Sequence, residues 1–287
     1  MSPGGGSRER SPLAFPLPMK ERPSMKIAVS GKGGVGKSTI AASVALLLAQ
    51  RGQRVLAVDA DPDANLAAAL GIPKETRITP ISAEIALIEE RTGAKVNQYG
   101  QVFKLNPEVS DVAEKLAFKH NGVELLVLGA VKRGGSGCAC PENVFIKALV
   151  NDLVLYKNET LIMDMEAGIE HLGRATATGV DVMLIVVEPG QRALDCAGTV
   201  IRMSREIGLT NFVIVGNKVS NEEDKRYISD GLADMKVSDT TVSAFLPYSE
   251  GIRSSDRNGV SALAGMGDKE RAVIEGLIDT IWKRTKP

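Results

Sequence analysis

Sulfur and imidazole are scarce in this chain. Three cysteines, Cys138, Cys140 and Cys196, and two histidines, His120 and His171, stand among 287 residues. An odd, sparse set of cysteines is a poor disulfide framework and points to a reducing, cytoplasmic setting. With so few histidines, any metal site must lean on sulfur or carboxylate. Net charge is also missing: 35 basic residues balance 35 acidic ones. That leaves no bulk attraction to nucleic acid or to an anionic membrane, so neither is expected as a partner. No run of about 18 apolar residues occurs, which argues against a membrane span.

What is present suits a globular protein. The 44% hydrophobic content is enough for a full core, and the length fits one large domain or two small ones. Residues 1–24 are rich in Pro, Gly, Ser and Arg, lack periodicity, and lack the apolar stretch of a signal peptide. They read as a disordered tail, with residues 25–287 as a single domain. Met25, just before the first strand, is a second candidate start.

Short apolar runs recur: Lys26–Ser30, Arg54–Asp59, Glu124–Leu128, Thr160–Asp164, Val182–Val187, Phe212–Asn217 and Val242–Leu246. Runs rich in Val, Ile and Leu suit strands covered on both faces. Helical stretches between them predict an α/β fold: a doubly wound, mostly parallel sheet of about seven strands flanked by helices. The more polar stretch from Ile78 to Asn121 reads as a helical insertion at one end of that sheet. Near the C-terminus, Ile274, Leu277, Ile278, Ile281 and Trp282 share one helical face, as a closing helix packed on the sheet requires. Lys283, Arg284 and Lys286 are too few to favour a membrane-binding tail.

Gly31 to Ser38 fit Gly-x4-Gly-Lys-Ser, with a strand before and a helix after. This is the phosphate loop of a P-loop NTPase. Gly33, Gly34, Val35 and Gly36 let backbone N–H groups curl inward at a phosphate, and the helix opening at Lys37, Ser38 and Thr39 aims its positive end at the same anion. Lys37 can neutralise the β and γ phosphates, and the Ser38 hydroxyl can ligate Mg²⁺. Lys32 is an extra lysine that an ordinary phosphate loop does not need. It resembles the signature lysine of the MinD/ParA/nitrogenase-iron-protein class, where that lysine reaches across a dimer to the partner's nucleotide. The resemblance implies an ATP-dependent homodimer; a solvated loop lysine is the plain alternative.

Two aspartate motifs follow buried strands. In Asp59-Ala60-Asp61-Pro62, Asp61 is the candidate to position the attacking water, and Asp59 to support the loop and the magnesium shell. In Leu161-Ile162-Met163-Asp164-Met165, Asp164 has the placement of a strand-borne carboxylate for hydrated Mg²⁺. Gly168, four residues on, is a candidate backbone sensor of the γ-phosphate. Asn217 and Lys218 follow a later strand, and the Asn217 amide can pair with the adenine edge. Guanine-selective loops carry Asn-Lys-x-Asp; here Ser220 stands in the last place, which favours ATP over GTP. Pro247 and Tyr248 are candidates to wall the base.

Cys138 and Cys140, one residue apart, can both bind a soft or borderline metal, but supply two of the roughly four ligands that a closed site needs. A second copy of the same pair is the economical source of the others, which points to a metal shared between two chains on a twofold axis. Nearby Lys132 and Arg133 are expected to lower the thiol pKa. Free thiols are the plain alternative, and Cys196, in a helical stretch, reads as packing.

Taken in order, the extra-lysine phosphate loop, Asp-x-Asp-Pro, Gly134 to Asn143 around the cysteines, Met163 to Leu172 and Asn217-Lys218-Val219 resemble the CooC-type ATPases that mature nickel-containing carbon monoxide dehydrogenase. The resemblance runs from about Met25 to the C-terminus. It implies that Cys138 and Cys140 of two chains bind one Ni²⁺ or Zn²⁺, that Lys32 couples ATP to dimer closure, and that nickel passes to the apo-dehydrogenase. Two alternatives share the fold: an iron–sulfur carrier or reductase, which typically uses other cysteine spacings, and a MinD/ParA-like positioning ATPase.

Overall fold

The computed structural model describes residues 24–96, 98, 100–130, 140–156, 159–168, 177–235 and 242–285. Its strands are β1 (Lys26–Ser30), β2 (Val55–Ala60), β3 (Phe118–His120), β4 (Val123–Val127), β5 (Thr160–Met165), β6 (Val182–Val187), β7 (Phe212–Val219) and β8 (Val242–Pro247). Its helices are α1 (Lys37–Gln50), α2 (Leu66–Ala69), α3 (Ile85–Thr92), α4 (Val112–Leu116), α5 (Pro141–Tyr156), α6 (Gln191–Glu206), α7 (Glu222–Asp234), α8 (Glu250–Arg257) and α9 (Asp268–Thr285).

The strands form one sheet in the order β3-β4-β2-β5-β1-β6-β7-β8. Every neighbouring pair is parallel except β3 with β4. Every residue of β1, β2, β5 and β6 is buried, as expected where helices cover both faces. The chain leaves β1 toward β2 on one side and later crosses from β5 to β6 on the other. β1 therefore stands where the winding reverses, the place where parallel α/β sheets open a crevice at the carboxyl ends of their strands.

The sheet has eight strands rather than about seven. The added strand is β3, at the end of the polar stretch expected as a helical insertion. That stretch does contain α3 and α4, but it closes with an antiparallel hairpin in which His120 faces Val123. Asn121 and Gly122, at φ 48 and 80, make the two-residue turn. Two successive left-handed residues match the right-handed strand twist, and Asn-Gly is the pair that adopts them most readily.

The C-terminal helix α9 packs as expected. Ile274, Leu277, Ile278, Ile281 and Trp282 are buried, and α9 rests against β8 and α1. Among the described residues no helix is long and apolar enough to cross a membrane. Leu277→Ala removes a fully buried side chain. It should lower the unfolding free energy by about 2–5 kcal/mol in a urea titration. A loss below roughly 1 kcal/mol would mean that α9 is only loosely attached.

Candidate nucleotide site

The crevice begins with a glycine that cannot be replaced. Gly31, at φ 150, follows β1 so closely against β6 that an added Cβ would lie 2.4 Å from the Val186 carbonyl oxygen. Gly34 and Gly36 are left-handed, at φ 81 and 99. Beneath them lies Asn217: its Nδ2 donates to the Val35 carbonyl at 2.7 Å, and a Cβ on Gly36 would lie 2.3 Å from that nitrogen. The loop is thus held from below by a buried side chain. Helix α1 then starts with no side-chain cap and no acidic residue in its first turn. Its first N–H groups remain open to an anion.

Three carboxylates and one lysine meet beside this helix end. Lys37, only 6% exposed, lies 3.6 Å from Asp61 Oδ2. Asp61 Oδ1 accepts the N–H of Asp63 at 3.0 Å. Asp59 accepts N–H bonds from Leu66 at 2.9 Å and Asp61 at 3.3 Å, which ties β2 to the start of α2. Asp59 and Asp164 are register partners on adjacent strands, and both are fully buried. Among the described residues neither oxygen of Asp164 meets a donor in hydrogen-bonding geometry, although the Ser38 hydroxyl and Lys37 stand close enough to favour its charge.

Burial pushes Asp59 up to about 7, with the charge of Asp164 adding to it and the N–H bonds opposing. Burial likewise raises Asp164 to about 6, against the pull of Ser38 and Lys37. A buried carboxylate without a donor, next to a hydroxyl, fits a hydrated Mg²⁺, whose charge would offset the burial. The donor set therefore suits the ion that a phosphate loop uses.

Above these groups opens a cleft of about 720 Å³, lined by Gly33, Gly34, Gly36, Lys37, Ser38 and Thr39 at one end and by Pro247, Tyr248, Ile252 and Arg253 at the other. Asn217, Lys218, Asp61 and Asp63 also line it. Asn217 and Lys218 lie inside β7 rather than after it, at an irregularity in its pairing with β8. Lys218 is left-handed, at φ 57, and its ammonium donates to the Gly34 carbonyl at 2.5 Å. A bulge at the rim of a sheet re-aims side chains in this way.

Gly168 is brought near β1, but its N–H donates to the Glu166 carbonyl at 2.7 Å, so this turn must open before that N–H can meet a phosphate. Cys140 directly precedes α5, whose first residue is Pro141. Burial raises the Cys140 thiol pKa, the Asn143 N–H opposes, and Glu142 adds to the rise. This corrects the expected lowering at Cys140. Lys132 and Arg133, the cations invoked for it, lie outside the described residues, as does Cys138, and burial outweighs the helix end. Cys196 is half-buried in α6 and packs against the core, as read from the sequence.

Two residues escaped the sequence reading. Ser30, at the end of β1, points its hydroxyl at the carbonyls of Glu166 and Gly168, 3.1 Å from each, and so ties the phosphate-loop strand to the segment after Asp164. Glu188, just beyond β6, receives Lys32 at 3.6 Å and Lys218 at 3.0 Å. The rule that picked Asp59 and Asp164, an acid at the carboxyl end of a parallel strand, would also have picked Glu188.

Comparison with known proteins agrees with this geometry. Residues 26–262 match the CobQ/CobB/MinD/ParA nucleotide binding domain family. The chain is 39% identical over 262 residues to the carbon monoxide dehydrogenase accessory protein CooC of Rhodospirillum rubrum, covering 90% of this chain and 97% of that one. It is 43% identical over 232 residues to an uncharacterized ATP-binding protein of Methanocaldococcus jannaschii, covering 81% of this chain and 88% of that one. In fold it resembles the MinC:MinD cell division protein complex of Aquifex aeolicus, with a TM-score of 0.64, 21% identity, and coverage of 90% and 96%. A ParA family ATPase from Chlorobium tepidum gives 0.63, 21%, and coverage of 88% and 98%. The chain belongs to the CobQ/CobB/MinD/ParA nucleotide-binding family of P-loop ATPases and, within it, to the CooC-type ATPases. It is an ATPase.

The raised Asp164 has a consequence for stability. An acid whose folded pKa exceeds its unfolded value costs the fold nothing below the unfolded value, 3.8 here, and progressively more as pH rises through about 6. Asp164→Asn removes that cost. Nucleotide-free protein carrying it should gain about 1–3 kcal/mol at pH 7.5 and less at pH 5, read as a higher Tm. A lower Tm at pH 7.5 would contradict the burial cost assigned to Asp164.

Proposed function

We propose that this ATPase is a dimeric metallochaperone that binds Ni²⁺ or Zn²⁺ through Cys138 and Cys140 of two chains and assists nickel insertion into carbon monoxide dehydrogenase. The observation that carries the proposal is the 39% identity, over nearly the full length of both chains, to a carbon monoxide dehydrogenase accessory protein. The Cys-x-Cys pair supports it: two thiolates per chain make four in a dimer, enough for either metal without histidine.

In the nucleotide site, Gly33 to Thr39 cradle the phosphates of ATP, and Lys37 counters their charge. Ser38 and Asp164 hold Mg²⁺, which when bound withdraws charge from the phosphate oxygens. Asp61, already 3.6 Å from Lys37, is placed to orient the attacking water. Asp59 holds the start of α2 and shapes the shell around Asp164. Asn217 supports the loop from below while facing the base end of the cleft, which Pro247 walls. Lys32 serves the partner's nucleotide, so ATP favours the closed dimer. Lys37→Ala should weaken both ATP binding and turnover. Asp61→Ala should still bind ATP while kcat falls by about 100-fold or more. An Asp61→Ala protein with wild-type turnover would remove that residue from the mechanism.

The metal claim has its own test. Anaerobically purified dimer, analysed for metal with and without a slowly hydrolysed ATP analogue, should hold about one metal per two chains. Since Cys140 must lose a proton that burial retains, affinity should fall as pH drops. Cys138→Ala with Cys140→Ala should abolish this metal and spare ATP hydrolysis. One tightly bound metal per chain, metal unchanged in the double variant, or the broad brown absorption of an iron–sulfur cluster would defeat the reading.

A further inference from the structure

Lys32 does not extend freely from the phosphate loop. Its ammonium lies 3.6 Å from Glu188 Oε1, with the lysine 38% and the glutamate 26% exposed. The other oxygen of Glu188 takes Lys218 at 3.0 Å, and Lys218 in turn donates to the Gly34 carbonyl within the loop. One carboxylate thus gathers both lysines and links them to the loop's crest. Two local features fix this arrangement. Glu188 stands at the rigid end of a fully buried strand, and Lys218 adopts a left-handed backbone that an ordinary side chain avoids. Lys218 has the Gly34 carbonyl as an anchor of its own, whereas among the described residues Lys32 pairs with Glu188.

We propose that Glu188 is a positioning residue that holds Lys32 within its own chain in the resting protein, and that ATP-dependent pairing of two chains requires Lys32 to exchange Glu188 for the partner's nucleotide. This rests on the reading that Lys32 acts across the dimer. The exchange makes Glu188 a competitor of the phosphates for one ammonium, so it sets the threshold at which ATP closes the dimer. It breaks no covalent bond and needs no further reactant. A half-exposed ion pair is weak enough to be displaced by a polyphosphate. The charge of ATP then selects the trans arrangement over the cis one.

The test is sedimentation velocity of the full chain with a slowly hydrolysed ATP analogue and Mg²⁺, on wild type, K32A, E188Q, K32A/E188Q and K218M. E188Q keeps an oxygen for Lys218 and removes the charge that holds Lys32. It should tighten the nucleotide-dependent dimer by about two- to five-fold at low salt. The gain should shrink as salt screens the pair. It should vanish in the K32A background, because Glu188 acts through Lys32. K218M leaves Glu188 to Lys32 alone and should not tighten the dimer. If K32A weakens the dimer but E188Q does not tighten it, the holding role of Glu188 is overturned while Lys32 keeps its trans role. If E188Q tightens the dimer equally with and without Lys32, Glu188 acts by another route. If K32A itself leaves the dimer unchanged, the trans reading of Lys32 falls and this inference with it.

Discussion

The structure depends on an electrostatic arrangement that the protein's own groups only partly satisfy. Asp59 and Asp164 are buried side by side at the carboxyl ends of β2 and β5, and among the described residues neither Asp164 oxygen meets a donor in hydrogen-bonding geometry, although the Ser38 hydroxyl stands close. Lys37 and the uncapped start of α1 supply positive potential from one side. The remaining deficit is what a cation bound with phosphate can fill. Stability is given up at this point, and the fully buried β1, β2, β5 and β6 hold the carboxylates in place despite it.

Backbone proximity gives the cleft its shape. Gly31 sits against the Val186 carbonyl, and Gly36 sits against the Asn217 amide. At the far side Gly251 and Gly265 pack backbone to backbone, since a Cβ on either would lie within 2.4 Å of the other's carbonyl oxygen. This fixes α8, which carries Ile252 and Arg253 of the cleft wall, against the turn at Ala262–Gly265. The two ends of the cleft are thus each set by glycines that bring main chains together, while side chains such as Lys37 and Asp61 line it.

Much of this was legible in the sequence. Buried strands are short, apolar and continuous, so seven of the eight stand out as apolar runs along the sequence. The phosphate loop and both aspartate motifs follow strands and so fall at the crevice by topology. β3 was lost because three residues, Phe118–His120, are too few for periodicity, and its signal lay in the Asn121-Gly122 turn instead. The dual engagement of Glu188, the Ser30 hydroxyl and the inward-turned Gly168 N–H are three-dimensional facts. The first two depend on which groups separate elements bring together, and the third is a local turn back to Glu166; no residue pattern encodes any of them. Cys140 shows the reverse error: nearby cations in sequence suggested an easy thiolate, but burial just before α5 raises its pKa.

The buried carboxylates are built to take a cation delivered with nucleotide. Calorimetry of Mg²⁺–ADP binding at pH 6.5, in buffers of different ionisation enthalpy, counts the protons released. Asp59 and Asp164, raised to about 7 and about 6, are partly protonated there and should ionise as the ion arrives. Wild type should therefore release more protons than the Asp164→Asn variant. Equal release from the two proteins would contradict the account.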